Sequence, residues 1–290
     1  MGVNLSLMYL TTPCTSKYSI DSCISSERRH NLFNSSKETG LPFQSTGPLL
    51  SEKMVVKINE NIKQQYPEND PYLSLSAYLN QIKQDYVTAR FLLVLSRYEG
   101  LNLDFVDRRV KIIDTLDYSM HNIYNELIKA SFKSFYNILD KIAYFINDYL
   151  ELQIETYRVN FHRMWYADKK NKEIREKIKN TGNISLNALF DIHKDFELGP
   201  YDRLRKIRNA LTHRFINIRM FQDPEDEENM AEDTFLECTL ELAQIVRNAI
   251  LYLLHFVYSE ETKKEKKTEG ILPSLFAQEL PDDLKSSRRK

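Results

Sequence analysis

Hydrophobic residues recur every three or four positions over long parts of the chain, which is the period of one face of an α-helix. The first stretch follows residue 70 and ends at Gly100, the second runs from Leu116 to Leu152, and the last from Glu232 to Glu261. The apolar positions of the first stretch are Leu75, Tyr78, Leu79, Ile82, Tyr86, Ala89 and Leu93. Those of the second are Met120, Tyr124, Leu127, Ser131, Phe135, Ile138, Ile142, Phe145 and Tyr149. The pattern predicts three long helices.

Shorter elements are predicted between the second and the last long helix. A charged surface helix is expected over Lys169–Lys179, ended by Gly182. Ser185 is expected to cap a helix that ends at Phe196. Pro200 suits the first turn of the next helix. The apolar face of that helix is expected to consist of Leu204, Ile207, Leu211 and Phe215.

The sequence divides into a helical domain over residues 51–262 and two segments of weak periodicity. Residues 1–50 are rich in Ser, Thr and Asn and predict an irregular arm, while residues 263–290 predict a loosely held tail. Seven glycines in 290 residues is about a third of the usual frequency, which disfavours all-β folds, Rossmann folds and phosphate-binding loops. We therefore expect an all-α, up-and-down helical bundle with a long insertion.

Charge and cysteine content narrow the class of partner and the compartment. The formal net charge is −1, so a polyanion must be bound by a local patch and not by the field of the whole protein. Cys14, Cys23 and Cys238 have no metal-binding spacing, and such a sparse, odd count indicates a reducing compartment. The longest apolar run, Ala249–Tyr258, is broken by His255 and is shorter than a bilayer requires. We expect a soluble cytoplasmic protein without membrane association, metal or other cofactor.

One stretch has the local charge that the whole chain lacks. Between Arg203 and Arg219 the sequence contains six basic residues and no acid. The six are Arg203, Arg205, Lys206, Arg208, Arg214 and Arg219. At 100° per residue, Arg208 lies beside the predicted apolar face, and Thr212, Asn209 and His213 follow it around the helix. This basic stretch therefore predicts a polar groove at the edge of the core.

An arginine and a histidine in such a groove suit the chemistry of a phosphodiester. The guanidinium of Arg208 is always charged and matches phosphate oxygens, and His213 can transfer a proton near neutral pH. RNA carries its own nucleophile, the 2′-hydroxyl, so a base and a cation suffice for cleavage without metal. Such cleavage needs both a base and an acid, and a two-fold dimer would supply a second pair. A surface arginine and a structural histidine are also compatible with this spacing.

The Arg208-Asn209-x-x-x-His213 segment resembles the R-x(4–6)-H motif of the HEPN superfamily. The residues 117–119, the Asp85–Phe91 segment and the Lys129–Ala143 segment are similar to one branch of large bacterial HEPN proteins, which often carry tetratricopeptide repeats. The resemblance covers about residues 47–280. It implies a small helical bundle, typically dimeric, whose relatives are in many cases metal-independent ribonucleases.

By that resemblance Arg208 and His213 correspond to the catalytic pair and Asn209 to the polar residue that orients it. The residues expected to contact RNA are Arg205, Lys206, Thr212 and Arg214. The chain departs from the family pattern at three points. The repeats are absent, Thr212 stands where relatives carry an acid, and the tyrosine found two residues after the histidine in toxins paired with nucleotidyltransferase antitoxins is here Phe215. That particular antitoxin system is therefore not supported.

The sequence thus favours a HEPN endoribonuclease that acts in defence or as a toxin, as a homodimer, with RNA as substrate and a regulatory or antitoxin protein as a further partner. A non-catalytic RNA- or nucleotide-binding module, or a dimerisation domain regulated by the N-terminal arm, remains the alternative. Other polar residues are assigned structural roles. His255 is expected in the core, His162 in a surface loop, and the charged residues of the two long helices in buried pairs or as a support for the groove. These charged residues are Asp85, Arg90, Asp140 and Lys141.

Overall fold

The computed structural model describes residues 71–168, 171–221 and 229–267, and two thirds of the described residues are helical. The helices are α1 Pro71–Arg97, α2 Ile123–Tyr149, α3 Glu176–Thr181, α4 Ile184–Leu198, α5 Asp202–His213 and α6 Glu232–Lys267. The strands are β1 Tyr166–Asp168, β2 Glu173–Ile174, β3 Asn217–Arg219 and β4 Asn229–Ala231. The all-α class is confirmed. The predicted arm over residues 1–50 lies outside the described residues, as does the predicted tail over residues 263–290 apart from residues 263–267, which continue α6.

Helices α1 and α2 form an antiparallel pair, which builds one side of the core. Apolar residues predicted for the inner face of α1, such as Leu79 and Ile82, are buried. The Ser131 hydroxyl donates to the Ala89 carbonyl at 2.8 Å, and Lys141 forms an ion pair with Asp85. Asp85 and Lys141 therefore form a pair of the structural kind expected for them.

Helix α6 packs along α2 in the same direction, because the insertion over residues 150–231 returns the chain to the starting end of α2. The rings of Phe132 and Phe235 stack at 5.6 Å near one end, and the Tyr149 hydroxyl donates to Glu261 at 2.6 Å near the other. Helix α4 covers another side of α6, where Asn183 donates to Glu260 at 2.7 Å. One continuous core results.

Helix α6 is the one described helix that is long and apolar enough, by length and composition alone, to cross a membrane. More than half of its apolar part is buried within the protein. Residues such as Phe235, Leu242 and Leu253 are fully buried against the other helices. This burial is what a core helix of a helical domain requires, so the length of α6 is only weak support for a membrane segment.

Helix α2 begins at Ile123, seven residues later than the apolar pattern predicted. Its start is fixed by Asn122, whose side chain accepts the N–H of Asn125 at 2.8 Å. The preceding residues pair instead with the segment around β3, where the Met120 N–H donates to the Ile218 carbonyl at 2.7 Å. Positive φ angles at residues 116 and 118 also exclude a helix there.

The short elements of the insertion differ from the prediction at their starts. In place of one charged helix, the chain forms a β1–β2 hairpin followed by α3, which ends at Gly182 with a φ angle of 57°. Helix α4 is capped by Asn183, whose side chain accepts the N–H groups of Ser185 and Leu186. The prediction that Ser185 caps this helix was wrong, because Ser185 already lies in the first turn.

Helix α5, which carries the candidate motif, is shorter than its apolar pattern suggested. Leu204 and Ile207 are buried as predicted, but the helix ends at His213, and Arg214 is extended. Phe215 is consequently not on the inner face of the helix: it is 86% exposed. The prediction that Phe215 packs into the core was therefore wrong.

Candidate active site

The Arg–His motif occupies the last two turns of α5. Arg208 is half-buried, whereas Asn209, Thr212 and His213 are exposed. His213 is the last residue of the helix, and the N–H of Arg214 donates to the Ala210 carbonyl at 2.9 Å, which closes the final turn. The five-residue spacing separates Arg208 and His213 by about 7.5 Å along the helix axis. The structure therefore places a partly held cation and an accessible imidazole on one helix.

Two residues of α2 hold the guanidinium of Arg208. Its Cζ atom lies 5.2 Å from the centre of the Tyr136 ring, and its Nη2 atom lies 3.6 Å from the Asp140 carboxylate. Tyr136 and Asp140 are four residues apart on α2, so both face the same way. Arg208 also donates through Nη1 to the Asn209 side chain at 3.1 Å. A ring, a carboxylate and an amide thus fix the orientation of this cation.

The Asp140 carboxylate beside Arg208 has a shifted pKa and a hydrogen bond to the backbone. Burial raises the pKa of Asp140 from its ordinary value, while the N–H of Phe161 and the charge of Arg208 act in the opposite direction. The Phe161 N–H donates to Asp140 Oδ1 at 3.0 Å, which anchors the residue to the loop after α2. Asp140 was expected either in a buried structural pair or as a support for the groove. Its contact with Arg208 provides such support.

Thr212 does not extend the site in the way that the helical projection suggested. Its hydroxyl donates to the Arg208 carbonyl at 2.8 Å, which is a hydrogen bond within α5. The oxygen can still accept a hydrogen bond from a ligand, because a hydroxyl has two lone pairs. Asn209, in contrast, uses its side-chain oxygen to accept from Arg208 and remains exposed.

Acids from outside the basic stretch neutralise part of its charge. Arg203 pairs with Glu241 of α6 at 2.6 Å, and Arg219 lies 3.5 Å from Asp117. Asp202, at the start of α5, takes two basic partners. These are Arg205, which donates through Nε at 3.0 Å, and Lys206, whose Nζ lies 3.8 Å away. The stretch has no acid in sequence, but its surface in the fold is only moderately positive.

Two histidines outside the motif lie in different surroundings from those predicted. His255 was predicted in the core and is instead exposed, with Nδ1 3.0 Å from the Ser185 hydroxyl. His162 was predicted in a surface loop and is half-buried, with Nε2 2.8 Å from the Tyr136 hydroxyl. His162 also contacts His193, which is fully buried in α4. Sequence reasoning missed this pair as a neighbour of the candidate site, because only the tertiary fold joins α2, the insertion and α4.

Within the described residues, no group of three or more His, Cys, Asp or Glu side chains has an arrangement that could hold a metal ion. The site offers four side chains to a ligand. They are the guanidinium of Arg208, the imidazole of His213 and the side chains of Asn209 and Arg214. This set can bind an anion and transfer a proton.

Comparison with known proteins places the chain in a family. The model of the LA2681-like HEPN family matches residues 67–260, which is more than half of the chain. The chain therefore belongs to the LA2681-like HEPN family, and the resemblance drawn from the motif and the long helices is confirmed. No curated protein and no solved structure matches the chain. Membership in a HEPN family indicates an RNase-type or nucleotide-binding module.

Proposed function

We propose that this protein is a metal-independent endoribonuclease of HEPN type. The observation that carries the proposal is the joint position of Arg208, held against Tyr136 and Asp140, and the exposed His213 on the same helix. In the proposed reaction, the 2′-hydroxyl of RNA attacks the adjacent phosphorus and the bond to the 5′-oxygen breaks. The products carry a 2′,3′-cyclic phosphate and a 5′-hydroxyl, so no water is consumed in this step.

The site residues would divide the work between charge and proton transfer. Arg208 stabilises the negative charge that develops on the phosphorane oxygens, because its position is fixed before the substrate arrives. His213 either takes the proton from the 2′-hydroxyl or gives one to the leaving 5′-oxygen. Asn209 orients Arg208 through their hydrogen bond. The RNA strand approaches along four further side chains, those of Arg205, Lys206, Thr212 and Arg214.

One histidine cannot serve as base and acid in the same step, so the proposal includes a homodimer. A two-fold axis near α5 would bring a second Arg208–His213 pair to the same cleft. We place the activity in the cytoplasm, in defence or as a toxin, with RNA as substrate and a regulatory or antitoxin protein as the partner that restrains it. The family and the chemistry of the site support the ribonuclease activity on which this assignment depends.

The proposal is tested by incubating the full chain with mixed cellular RNA in excess chelator. We expect cleavage by the wild type, and a loss of at least about 100-fold in Arg208→Ala and His213→Ala. Arg97→Ala and His255→Ala are the matched controls, since they remove the same side chains from surface positions on α1 and α6. The 3′ ends of the fragments should resist ligation by an enzyme that needs a 3′-hydroxyl until the cyclic phosphate is opened and the resulting phosphate is removed.

Two other outcomes would replace the proposal. RNA or nucleotide binding that weakens with salt, without cleavage by the wild type, would identify a non-catalytic binding module. A dimer that binds neither RNA nor nucleotides at any salt concentration would identify a dimerisation domain. Equal cleavage by the wild type and both site variants would show that the activity comes from another site or from a contaminant.

A further inference from the structure

A chain of side-chain contacts leads away from the aromatic ring that supports the candidate arginine. The Tyr136 hydroxyl lies 2.8 Å from His162 Nε2, and His162 Nδ1 lies 3.2 Å from His193 Nδ1. His193 Nε2 lies 3.2 Å from the Tyr166 hydroxyl, which donates to Glu197 at 3.5 Å. We call this set the imidazole chain. It connects α2, the loop after it, β1 and α4.

The end of the imidazole chain determines where its protons lie. The Glu197 carboxylate can only accept, so the Tyr166 hydroxyl donates to it and accepts from His193 Nε2–H. His193 Nδ1 then carries no proton and accepts from His162 Nδ1–H, which leaves His162 Nε2 to accept from the Tyr136 hydroxyl. This arrangement requires two neutral imidazoles with opposite tautomers. A proton added to His162 would displace the donation by Tyr136, and one added to His193 would bring two N–H groups face to face.

Burial keeps both imidazoles neutral at physiological pH. Removal from solvent is the main cause that lowers the pKa of His162 and of His193 to about 4. The other charged groups that face His162 are the cations Arg205 and Arg208, which lower its pKa with His193, and Glu197, which raises it. Around His193, Glu197 raises the pKa, and the cations Lys172 and Lys194 lower it.

Aromatic rings enclose the two imidazoles and restrict their movement. Trp165 stacks on His193 at 6.2 Å, and Phe196 packs edge-on against both His162, at 6.0 Å, and the Tyr136 ring, at 5.6 Å. Tyr136, Trp165 and Phe196 are among the largest fully buried side chains of the protein. The Tyr136 ring is therefore fixed by packing on its edge and by a hydrogen bond at its hydroxyl.

We propose that the imidazole chain positions Arg208, by fixing the Tyr136 ring against which the guanidinium lies. Tyr136, His162 and His193 are positioning residues in this account. Of the three, Tyr136 contacts Arg208, and the two histidines act through Tyr136. The catalytic consequence rests on the ribonuclease function proposed above. The position of the guanidinium can be measured without RNA, so the two proposals can fail separately.

The first experiment determines the proton positions by NMR of the full chain labelled with ¹⁵N-histidine at pH 7. We expect His162 to be protonated at Nδ1 and His193 at Nε2, both neutral, with assignments from His162→Gln and His193→Gln. Either imidazole in its charged form at pH 7, or both in the Nε2–H tautomer, would overturn the imidazole chain. A shift of both resonances on addition of Zn²⁺ would do the same, since the two Nδ1 atoms would then share a metal.

The second experiment follows the Nε–H resonance of Arg208, assigned with Arg208→Lys. Because a guanidinium over a ring experiences the ring current, His162→Leu should move this resonance, while His162→Gln, which keeps an acceptor for the Tyr136 hydroxyl, should move it much less. His255→Leu is the matched control on α6 and should leave it in place. An Arg208 resonance that is the same in the wild type and in both His162 variants would overturn the proposal.

The third experiment compares cleavage kinetics in the same variants. We expect kcat to fall roughly 10- to 100-fold in His162→Leu, as for a small displacement of a catalytic group, with KM nearly unchanged and most of the rate restored in His162→Gln. Equal losses in both variants would indicate a merely structural role and overturn the proposal. If neither the wild type nor any variant cleaves RNA but the Arg208 resonance moves as expected, the positioning of Arg208 is supported and the ribonuclease proposal fails.

Discussion

Arg208 lies between a ring that attracts a cation and a carboxylate that competes with any anionic ligand. The Tyr136 ring supplies a cation–π contact, worth about 0.5–2 kcal/mol depending on its exposure to water. Asp140 forms an ion pair with Arg208 at 3.6 Å. This pair leaves the affinity for an anionic ligand unchanged only if the guanidinium can bind Asp140 and the ligand at the same time. With five N–H donors in a planar fork, the guanidinium of Arg208 has donors left for a phosphate.

The Asp140 carboxylate is therefore expected to weaken the affinity for RNA while it orients the arginine. Asp140→Asn removes the charge and keeps an oxygen that accepts the Phe161 N–H. An exposed or half-exposed ion pair is worth up to about 1 kcal/mol, so we expect the dissociation constant for RNA to fall two- to fivefold. Fluorescence anisotropy with a short RNA, in a His213→Ala background that prevents cleavage, measures this change.

Glu126→Gln is the matched control for that substitution. It removes one negative charge from the same helix, where Glu126 pairs with Lys129 of the next turn at 2.8 Å. An unchanged or larger dissociation constant in Asp140→Asn would contradict the expected competition between Asp140 and the ligand for the Arg208 guanidinium.

At the scale of elements, the His162–His193 contact ties the loop after α2 to α4 and makes that tie sensitive to pH. Both histidines have a pKa near 4 in the folded chain, against about 6.5 when unfolded. Between these values the unfolded chain binds more protons, so the free energy of unfolding falls as the pH falls through this window. The contribution of the two neutral histidines to the free energy of unfolding is fully present above about pH 6.5.

Urea unfolding at pH 7 and pH 5 measures this effect. We expect the wild type to lose about 3 to 4 kcal/mol more than the double variant His162→Gln/His193→Gln, which has no imidazole at either position. Asp140, whose pKa is raised by burial, changes stability in the opposite direction, but it is present in both proteins and cancels in the comparison. Parallel pH profiles would show that the two histidines have the same pKa in the folded and the unfolded chain, and would contradict the lowered values.

The sequence predicts a helix well where the backbone of its apolar positions forms hydrogen bonds within the helix and not with a distant segment. The α1 face with Leu79 and Ile82 follows the period directly. Helix α6 does so as well, except that His255 is exposed and the helix continues past Glu261 to Lys267. The start of α2 does not, because Met120 continues the apolar pattern but donates its N–H to Ile218, almost 100 residues away. The cap of α4 was missed for a related reason, since both Asn183 and Ser185 are good caps and only the backbone geometry selects Asn183.

The sequence predicts those parts of the candidate site that depend on one helix and not those that depend on contacts between helices. The positions of Arg208 and His213 on one helix follow from their spacing, because the helix period fixes both. The partners of Arg208 cannot be read in this way, because Tyr136 and Asp140 come from a helix nearly 70 residues earlier. The exposure of Phe215 depends on where α5 ends, which a periodic pattern does not reveal.

At the scale of the whole molecule, the fold redistributes the charge that the sequence concentrates. The six basic residues between Arg203 and Arg219 meet four carboxylates from three other places and from the start of α5. These are Asp117, Asp140, Asp202 and Glu241. The surface around α5 thus carries a net charge near +2, and the number of phosphates that it neutralises should be correspondingly small.

The salt dependence of RNA binding tests this redistribution. For single-stranded nucleic acid, log K falls with log salt with a slope of about −0.7 per neutralised phosphate, so six contacts would give about −4 and two contacts about −1.5. We expect the shallower slope for His213→Ala, measured by anisotropy over a range of potassium chloride concentrations. In the same background, Asp202→Asn/Glu241→Gln releases Arg203, Arg205 and Lys206 from their carboxylates and should steepen the slope by about one to two. A steep slope in the protein that retains all four carboxylates would contradict this expectation. It would mean that RNA phosphates displace the carboxylates from the ion pairs, so that all six basic residues contact RNA.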